Sequence, residues 1–176
     1  IVLDQGPLYG GTTSHAPGLV GQLRSSLSLT RMLMHSVSLY RTLKVNDQPG
    51  YFEVGSLRLA SSKERLQELK RQAGFARGAG LEADLLSPRE VMSLFPIMSS
   101  EKVEGALYIP SDGSAAAPIL AEAMMLAAKE KGAVCYPETL VTGIDAPRGR
   151  VEAVLTPSGR IRTEIVVIAA GIWSPR

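Results

Sequence analysis

Three kinds of hydrophobic spacing follow one another along the chain, and each predicts a different element. Ile1–Leu3 is a short apolar run that stops at the acidic Asp4 and predicts a strand end. From Gln5 to Gly18 the periodicity disappears, and Gly6, Pro7, Gly10, Gly11, Pro17 and Gly18 predict a turn-rich loop. Leu29, Leu33, Val37 and Tyr40 recur at helical spacing and predict a helix over 27–45, broken by 46–50. Residues 51–60 alternate as a strand does, with Gly55 as a bulge or bend. Ser61 or Ser62 can cap a helix over 63–75 that turns Leu66 and Leu69 inward. Ser87-Pro88-Arg89-Glu90 is a helix start with cap, first-turn proline and Glu in capping-box position, and that helix ends before Pro96.

The second half reads as a strand over 103–109, then a long Ala- and Met-rich helix opened by Ser111-Asp112-Gly113-Ser114 and stopped by Gly132. Its apolar residues lie all round, which predicts burial on more than one side. Strands follow over 133–136, 139–146, 151–156 and 161–164, with turns at 147–150 and 157–160. Ile165–Ala169 is wholly apolar and predicts a strand buried on both faces. The order of elements is that of an α/β protein with an α+β insertion.

Composition narrows the partners. Of 176 residues, 45% are hydrophobic and 20% charged, the balance of an ordinary globular chain. A formal net charge of +2, dispersed Lys and Arg, and 5% aromatic residues give no platform for nucleic acid. No apolar run approaches the ~20 residues of a membrane span. The single cysteine, Cys135, has no partner for an internal disulfide and no metal-ligand spacing around it, and it reads as a small packed hydrophobe. No metal site is expected. The chain opens on IVLDQG without an initiator Met and closes just after VVIAAG, so both ends are expected to be cuts in a longer protein.

Three places carry candidate chemistry. Asp4, at a strand end, is either a simple cap or the acid that accepts ribose hydroxyls in a dinucleotide-binding βαβ unit. The run Gly10-Gly11-Thr12-Thr13-Ser14-His15-Ala16-Pro17-Gly18 is either a polar surface loop or a close backbone approach to pyrophosphate. Its His15 could serve as base, donor or nucleophile. Val166–Gly171 is either a core strand entering a turn or a small-residue strand end against which a cofactor lies. His35, the other histidine, reads as an ordinary helix residue.

The runs VLDQGPL, GGTTSHAPGLV, VGSLRLASSKERLQELKR, LLSPREV with LFP, GALYIPSDG, VTGI and IVVIAAGIW span nearly the whole chain. Together they resemble the dimethylglycine oxidase, dimethylglycine dehydrogenase and sarcosine dehydrogenase family, within the D-amino-acid-oxidase-like FAD oxidoreductases. The resemblance implies a partial FAD-binding Rossmann-like domain interleaved with part of a substrate domain. Residues 1–45 would supply a flavin-side segment, 46–112 part of the substrate domain, and 113–176 the flavin-side helix, hairpin and strand. It implies FAD bonded through its 8α-methyl carbon to His15. Asp4 and Gln5 would lie on the ribose side, Thr12, Thr13 and Ser14 by the pyrophosphate and flavin, with Leu19 just beyond. Val141 would meet adenine through its main chain, and Ala170, Gly171 and Trp173 would lie by the cofactor.

The same resemblance places the active-site base and aromatic residues, and a folate-binding half, beyond residue 176. No catalytic residue is therefore expected within the chain, which alone should be inactive and bind FAD weakly. The implied substrate is a small N-methyl amine such as dimethylglycine or sarcosine, with tetrahydrofolate as the implied one-carbon acceptor. The implied location is the cytoplasm, or the mitochondrial matrix in a eukaryote. GLVGQLRSS departs from the family's GLVFQ-like continuation. The rival expectation is a non-catalytic flavoprotein-like module or interaction fragment.

Overall fold

A computed structural model describes residues 1–99 and 101–174. The chain forms a mixed α/β structure that divides into two compact units: Ile1–Ser14 with Met125–Arg176, and His15–Met124. The chain opens with β1 (Val2–Leu3) and enters the second unit at His15.

In that second unit β2 (Leu19–Val20) leads to α1 (Leu27–Tyr40), capped by the Ser26 side chain accepting from the Leu29 amide. The helix ends at Tyr40, short of the expected 45, because 44–49 fold into a ribbon of β3 (Lys44–Val45) and β4 (Gln48–Pro49). Asn46 and Asp47 turn it with φ of 48° and 64°, the signature of a tight hairpin. The expected strand over 51–60 is two strands, β5 (Tyr51–Glu53) and β6 (Ser56–Ala60), separated at Gly55 with φ 77°. The two halves join different sheets, so Gly55 is the corner at which the chain changes sheet.

Ser62 caps α2 (Lys63–Ala79), which runs four residues past expectation to a left-handed Gly80. β7 (Asp84–Leu86) follows, and then α3 (Pro88–Leu94), whose Ser87–Glu90 capping box forms as the sequence predicts. β8 (Gly105–Ile109) is the middle strand of the antiparallel sheet β6-β8-β7. The main core lies where α2 covers this sheet. Leu69, Ala73 and Ala76 pack on Ala60, Leu107 and Ile109, with Leu23 beside them. The alanines let the helix come close to the sheet, while Leu69 and Leu107 fill the volume.

Residues 111–114 correct the expectation of a helix start. Gly113–Ala115 form β9, the centre of the sheet β2-β9-β5. The helix α4 (Ala117–Glu130) begins later, with Pro118 in its first turn. The Asp112 carboxylate does not cap it, because other partners take both of its oxygens. The expected all-round burial is also corrected: Leu120 and Ala123 are buried, whereas Met124 and Leu126 are exposed. A second core of Val37, Tyr51 and Leu120 joins α1, β5 and α4.

In the first unit β1 pairs in parallel with β10 (Cys135–Tyr136). β11 (Gly143–Asp145), β12 (Ala153–Thr156) and β13 (Gly159–Arg162) form the expected meander, with the first two strands shorter and the third starting two residues earlier. Ile165–Ala169 is a second correction. It is not a strand, and Ile165, Val167 and Ile168 are largely exposed. A strand buried on both faces needs hydrogen-bonded neighbours and covering layers, and no strand among the described residues pairs with this run.

Candidate functional site

The first unit builds its candidate site on the parallel pair β1 and β10. The Asp4 amide donates to the Tyr136 carbonyl at 3.1 Å, and the Asp4 carbonyl accepts from the Thr139 amide at 2.7 Å. The backbone of Asp4 is thereby fixed on both sides, and its partner Thr139 stands two positions before Val141 in the sequence. Its side chain stays exposed. Oδ1 accepts from the Gly6 amide at 2.9 Å, which turns the chain into the loop, and Oδ2 has no partner among the described residues. The carboxylate is thus pre-set by one oxygen and offers the other.

The loop after Asp4 is folded by its own contacts. The Gly10 amide donates to the Pro7 carbonyl, and the Ser14 hydroxyl donates to the Gly11 carbonyl at 2.9 Å. Tyr9 and Gly11 take positive φ. Thr12 and Ser14 are exposed and Thr13 half-buried, as is apt for a loop that presents hydroxyls and amides. Gln5 and Val141 are exposed. Ala170, Gly171 and Trp173 are exposed in and around a single 3-10 turn, Gly171–Trp173, rather than at a strand end.

The second unit begins at His15, so the structure divides the candidates: His15 and Leu19 belong to it and the other nine to the first unit. His15 is exposed. Three residues on, buried Gly18 anchors the loop, its carbonyl accepting from the Ala115 amide at 2.7 Å. Leu19 follows on β2 with 85% of its surface exposed, an apolar side chain left open on an ordered strand.

A buried polar cluster escaped the sequence reading. Asp112 is 1% exposed. Its Oδ1 accepts from the amide of Gln22 at 2.8 Å and from the Gln22 side chain at 3.1 Å, and Oδ2 accepts from the Ser56 hydroxyl at 2.7 Å. Gln22 also donates to Ser111 Oγ, and the Tyr51 hydroxyl donates to the Ser111 carbonyl at 2.7 Å. The cluster ties the exit of the His15 loop to β6 and to the turn before β9. The available signal was Ser-Asp-Gly directly after an apolar strand, equally compatible with a strand-to-strand turn.

Burial, reinforced by Glu53 and Asp112, pushes the Tyr51 phenol up to about 12. The neutral phenol is therefore favoured in the folded state. That contribution is intact below the ordinary tyrosine value of 10.0 and is lost as pH rises toward 12. In denaturant melts, the stability advantage of the native chain over Tyr51→Phe is expected to shrink between those two values. A constant gap would contradict this assignment.

No group of three or more His, Cys, Asp or Glu among the described residues could hold a metal ion. No helix among them is long and apolar enough to cross a membrane.

The whole chain, residues 1–176, matches the family model described as FAD dependent oxidoreductase. It is 35% identical to the mitochondrial sarcosine dehydrogenase of Mus musculus, covering 100% of this chain and 20% of that protein. It is 31% identical to the mitochondrial pyruvate dehydrogenase phosphatase regulatory subunit of Mus musculus, covering 99% of this chain and 20% of that protein. The crystal structure of glycine oxidase from Geobacillus kaustophilus matches with a TM-score of 0.76 at 30% identity, over 99% of this chain and 49% of that one. The chain thus spans about a fifth of the length of these two curated relatives.

Proposed function

The chain belongs to the FAD dependent oxidoreductase family, and on that premise we propose that the whole protein oxidises an N-methyl amino acid, such as sarcosine or dimethylglycine, with FAD carried on His15. The observation that supports this most is the loop at 10–15. It leaves a strand whose terminal acid has one unengaged carboxylate oxygen, and it presents Thr12, Thr13 and Ser14 directly before an exposed histidine. These donors and this acceptor fit the ribose and pyrophosphate of a dinucleotide.

In this reading Asp4 accepts from ribose hydroxyls, with Gln5 beside it. Thr12, Thr13 and Ser14 hold the pyrophosphate side through hydroxyls and amides. The Val141 main chain meets the adenine, and Ala170, Gly171 and Trp173 flank the cofactor. His15 would hold the flavin through a ring nitrogen at the 8α carbon, and Leu19 would cover the ring with apolar surface. Bound FAD supplies the acceptor for a hydride equivalent from the N-methyl carbon, giving an iminium that is hydrolysed or passes its one-carbon unit to tetrahydrofolate. Residues 1–45 and 113–176 are assigned to the flavin side and 46–112 to the substrate side.

A second reading has its own support. One relative at 31% identity is named as a regulatory subunit, which suits a flavoprotein-like module without turnover. Acid precipitation of the full-length protein separates the readings. A linked flavin stays with the polypeptide, so a yellow pellet is expected from the native protein and a colourless one from His15→Ala. A colourless native pellet overturns the linkage. A yellow pellet with no oxidation of sarcosine or dimethylglycine favours the regulatory reading.

A further inference from the structure

Beside the main core of the second unit lies a cavity of about 180 Å³. Leu23 and Phe75 give it apolar walls, and Arg24, Arg58 and Arg71 supply three guanidinium groups. Glu68 is the one carboxylate in the lining, and it is already engaged. Its Oε1 accepts from Arg71 Nη2 at 2.7 Å and from Gln72 Nε2 at 2.8 Å, and its Oε2 accepts from Arg71 Nε at 2.9 Å. These bonds hold the Glu68 carboxyl down at about 2. It therefore neutralises Arg71 and leaves Arg24 and Arg58.

Arg58 is the unusual member. It is half-buried on β6, anchored by Nη2 to the Leu23 carbonyl at 3.1 Å and by Nη1 to Gln72 Oε1 at 3.3 Å. Both acceptors are uncharged. Burial pulls its guanidinium below the ordinary arginine value, the Asp112 carboxylate opposes this, and the like charges of Arg24 and Arg65 add to it. Arg24 spends Nη1 on the Leu23 carbonyl. Its Nε and Nη2, with Arg58 Nε and Arg71 Nη1, have no partner among the described residues. Two like charges are thus held at one small concavity with spare donors, a costly arrangement that an anion would relieve.

We propose that this cavity binds a small organic carboxylate, its anionic end on Arg24 and Arg58 and its apolar body against Leu23 and Phe75. The volume is below the ~300–1,000 Å³ of pockets that take drug-sized ligands, which restricts the occupant to a short aliphatic or single-ring acid. The apolar walls separate this class from inorganic phosphate, which matches the charge and leaves those walls uncovered.

Benzoate is the probe, with inorganic phosphate and benzyl alcohol as the charge-only and apolar-only comparisons, each titrated into the full chain and followed by amide NMR signals. Saturable benzoate shifts centred on 23–25 and Phe75 are expected, with affinity about tenfold above either comparison, the scale of one charge-assisted hydrogen bond. Arg24→Gln, an exposed position that leaves the core untouched, is expected to weaken benzoate about tenfold or more. Glu68→Gln is expected to tighten it, because it frees Arg71 and removes the competing charge. Any one of three results overturns the proposal: no saturable shift at tens of millimolar benzoate, phosphate binding as tightly as benzoate, or Arg24→Gln leaving benzoate affinity unchanged.

Discussion

Asp112→Ala is expected to destabilise the chain by about 3 kcal/mol or more, because it leaves buried donors without an acceptor and Arg58 without its opposing charge. The Gln22 amide, one bond of the Gln22 side chain and the Ser56 hydroxyl all end on this carboxylate, which is 1% exposed. Water cannot replace them without opening β2, β6 and the turn before β9. Asp112→Asn is the informative companion. It keeps an acceptor at Oδ1 for Gln22 and places an amide where Oδ2 stood, and the Ser56 hydroxyl can reverse and accept from it. Its cost is expected to be about half as large or less. Urea melts of the three chains decide the matter. Equal losses for Ala and Asn would mean that charge and not hydrogen bonding holds the cluster, and negligible loss for both would mean that the cluster contributes little. A loss of this size is a large fraction of the ~5–15 kcal/mol that stabilises an ordinary domain.

What the sequence disclosed and what it hid divide along a physical line. Ser62, the Ser87–Glu90 box and Gly80 act within a turn of their own position, and the first two mark helix starts that the structure reproduces. The Gly55 bend is likewise local, a positive φ that glycine takes at little cost. That its two flanking strands join different sheets is not local and could not be seen. Asp112 failed for the same reason. An Asp-Gly ahead of an alanine-rich run carries the local marks of a helix start, and it is partners at Gln22 and Ser56 that make it a strand approach. Ile165–Ala169 shows the opposite error. Apolar composition reports a preference for burial, and burial requires neighbours that the described residues do not provide.

The candidate site follows the same rule. Asp4 and the glycine loop stand out as candidates because their side chains are concentrated in one stretch, and the Asp4–Gly6 bond is itself a two-residue event. The bond from the Thr139 amide to the Asp4 carbonyl joins positions far apart in the chain, and no local signal marked it. Arg58 gave no signal at all, since one arginine on an alternating strand reads as a solvent-facing position.

Gly18→Ala is expected to cost about 3 kcal/mol, combining two separate penalties. Gly18 has a φ of 77°, a left-handed conformation that costs an alanine about 1–2 kcal/mol. A Cβ there would also overlap the Ala115 carbonyl oxygen, and backbone has no rotamer by which to withdraw. Relieving such an overlap adds about 1–3 kcal/mol. Gly11→Ala isolates the first penalty, because Gly11 has a φ of 58° and nothing within 4 Å of an added Cβ. The two variants are thus expected to differ by the cost of the overlap alone, with Gly18→Ala the less stable in urea melts. Equal midpoints would show that the strand pair Leu19–Ser114 can shift without loss. The difference bears on the proposed chemistry, because the Gly18 carbonyl, three residues after His15, is held by the Ala115 amide. If the His15 linkage forms as proposed, displacing that anchor should lower the fraction of acid-stable flavin in the full-length protein more than Gly11→Ala does, at temperatures where both variants remain folded. Equal fractions would mean that the loop positions His15 by its own turns, Gly10 to Pro7 and Ser14 to Gly11, and not by its attachment to β9.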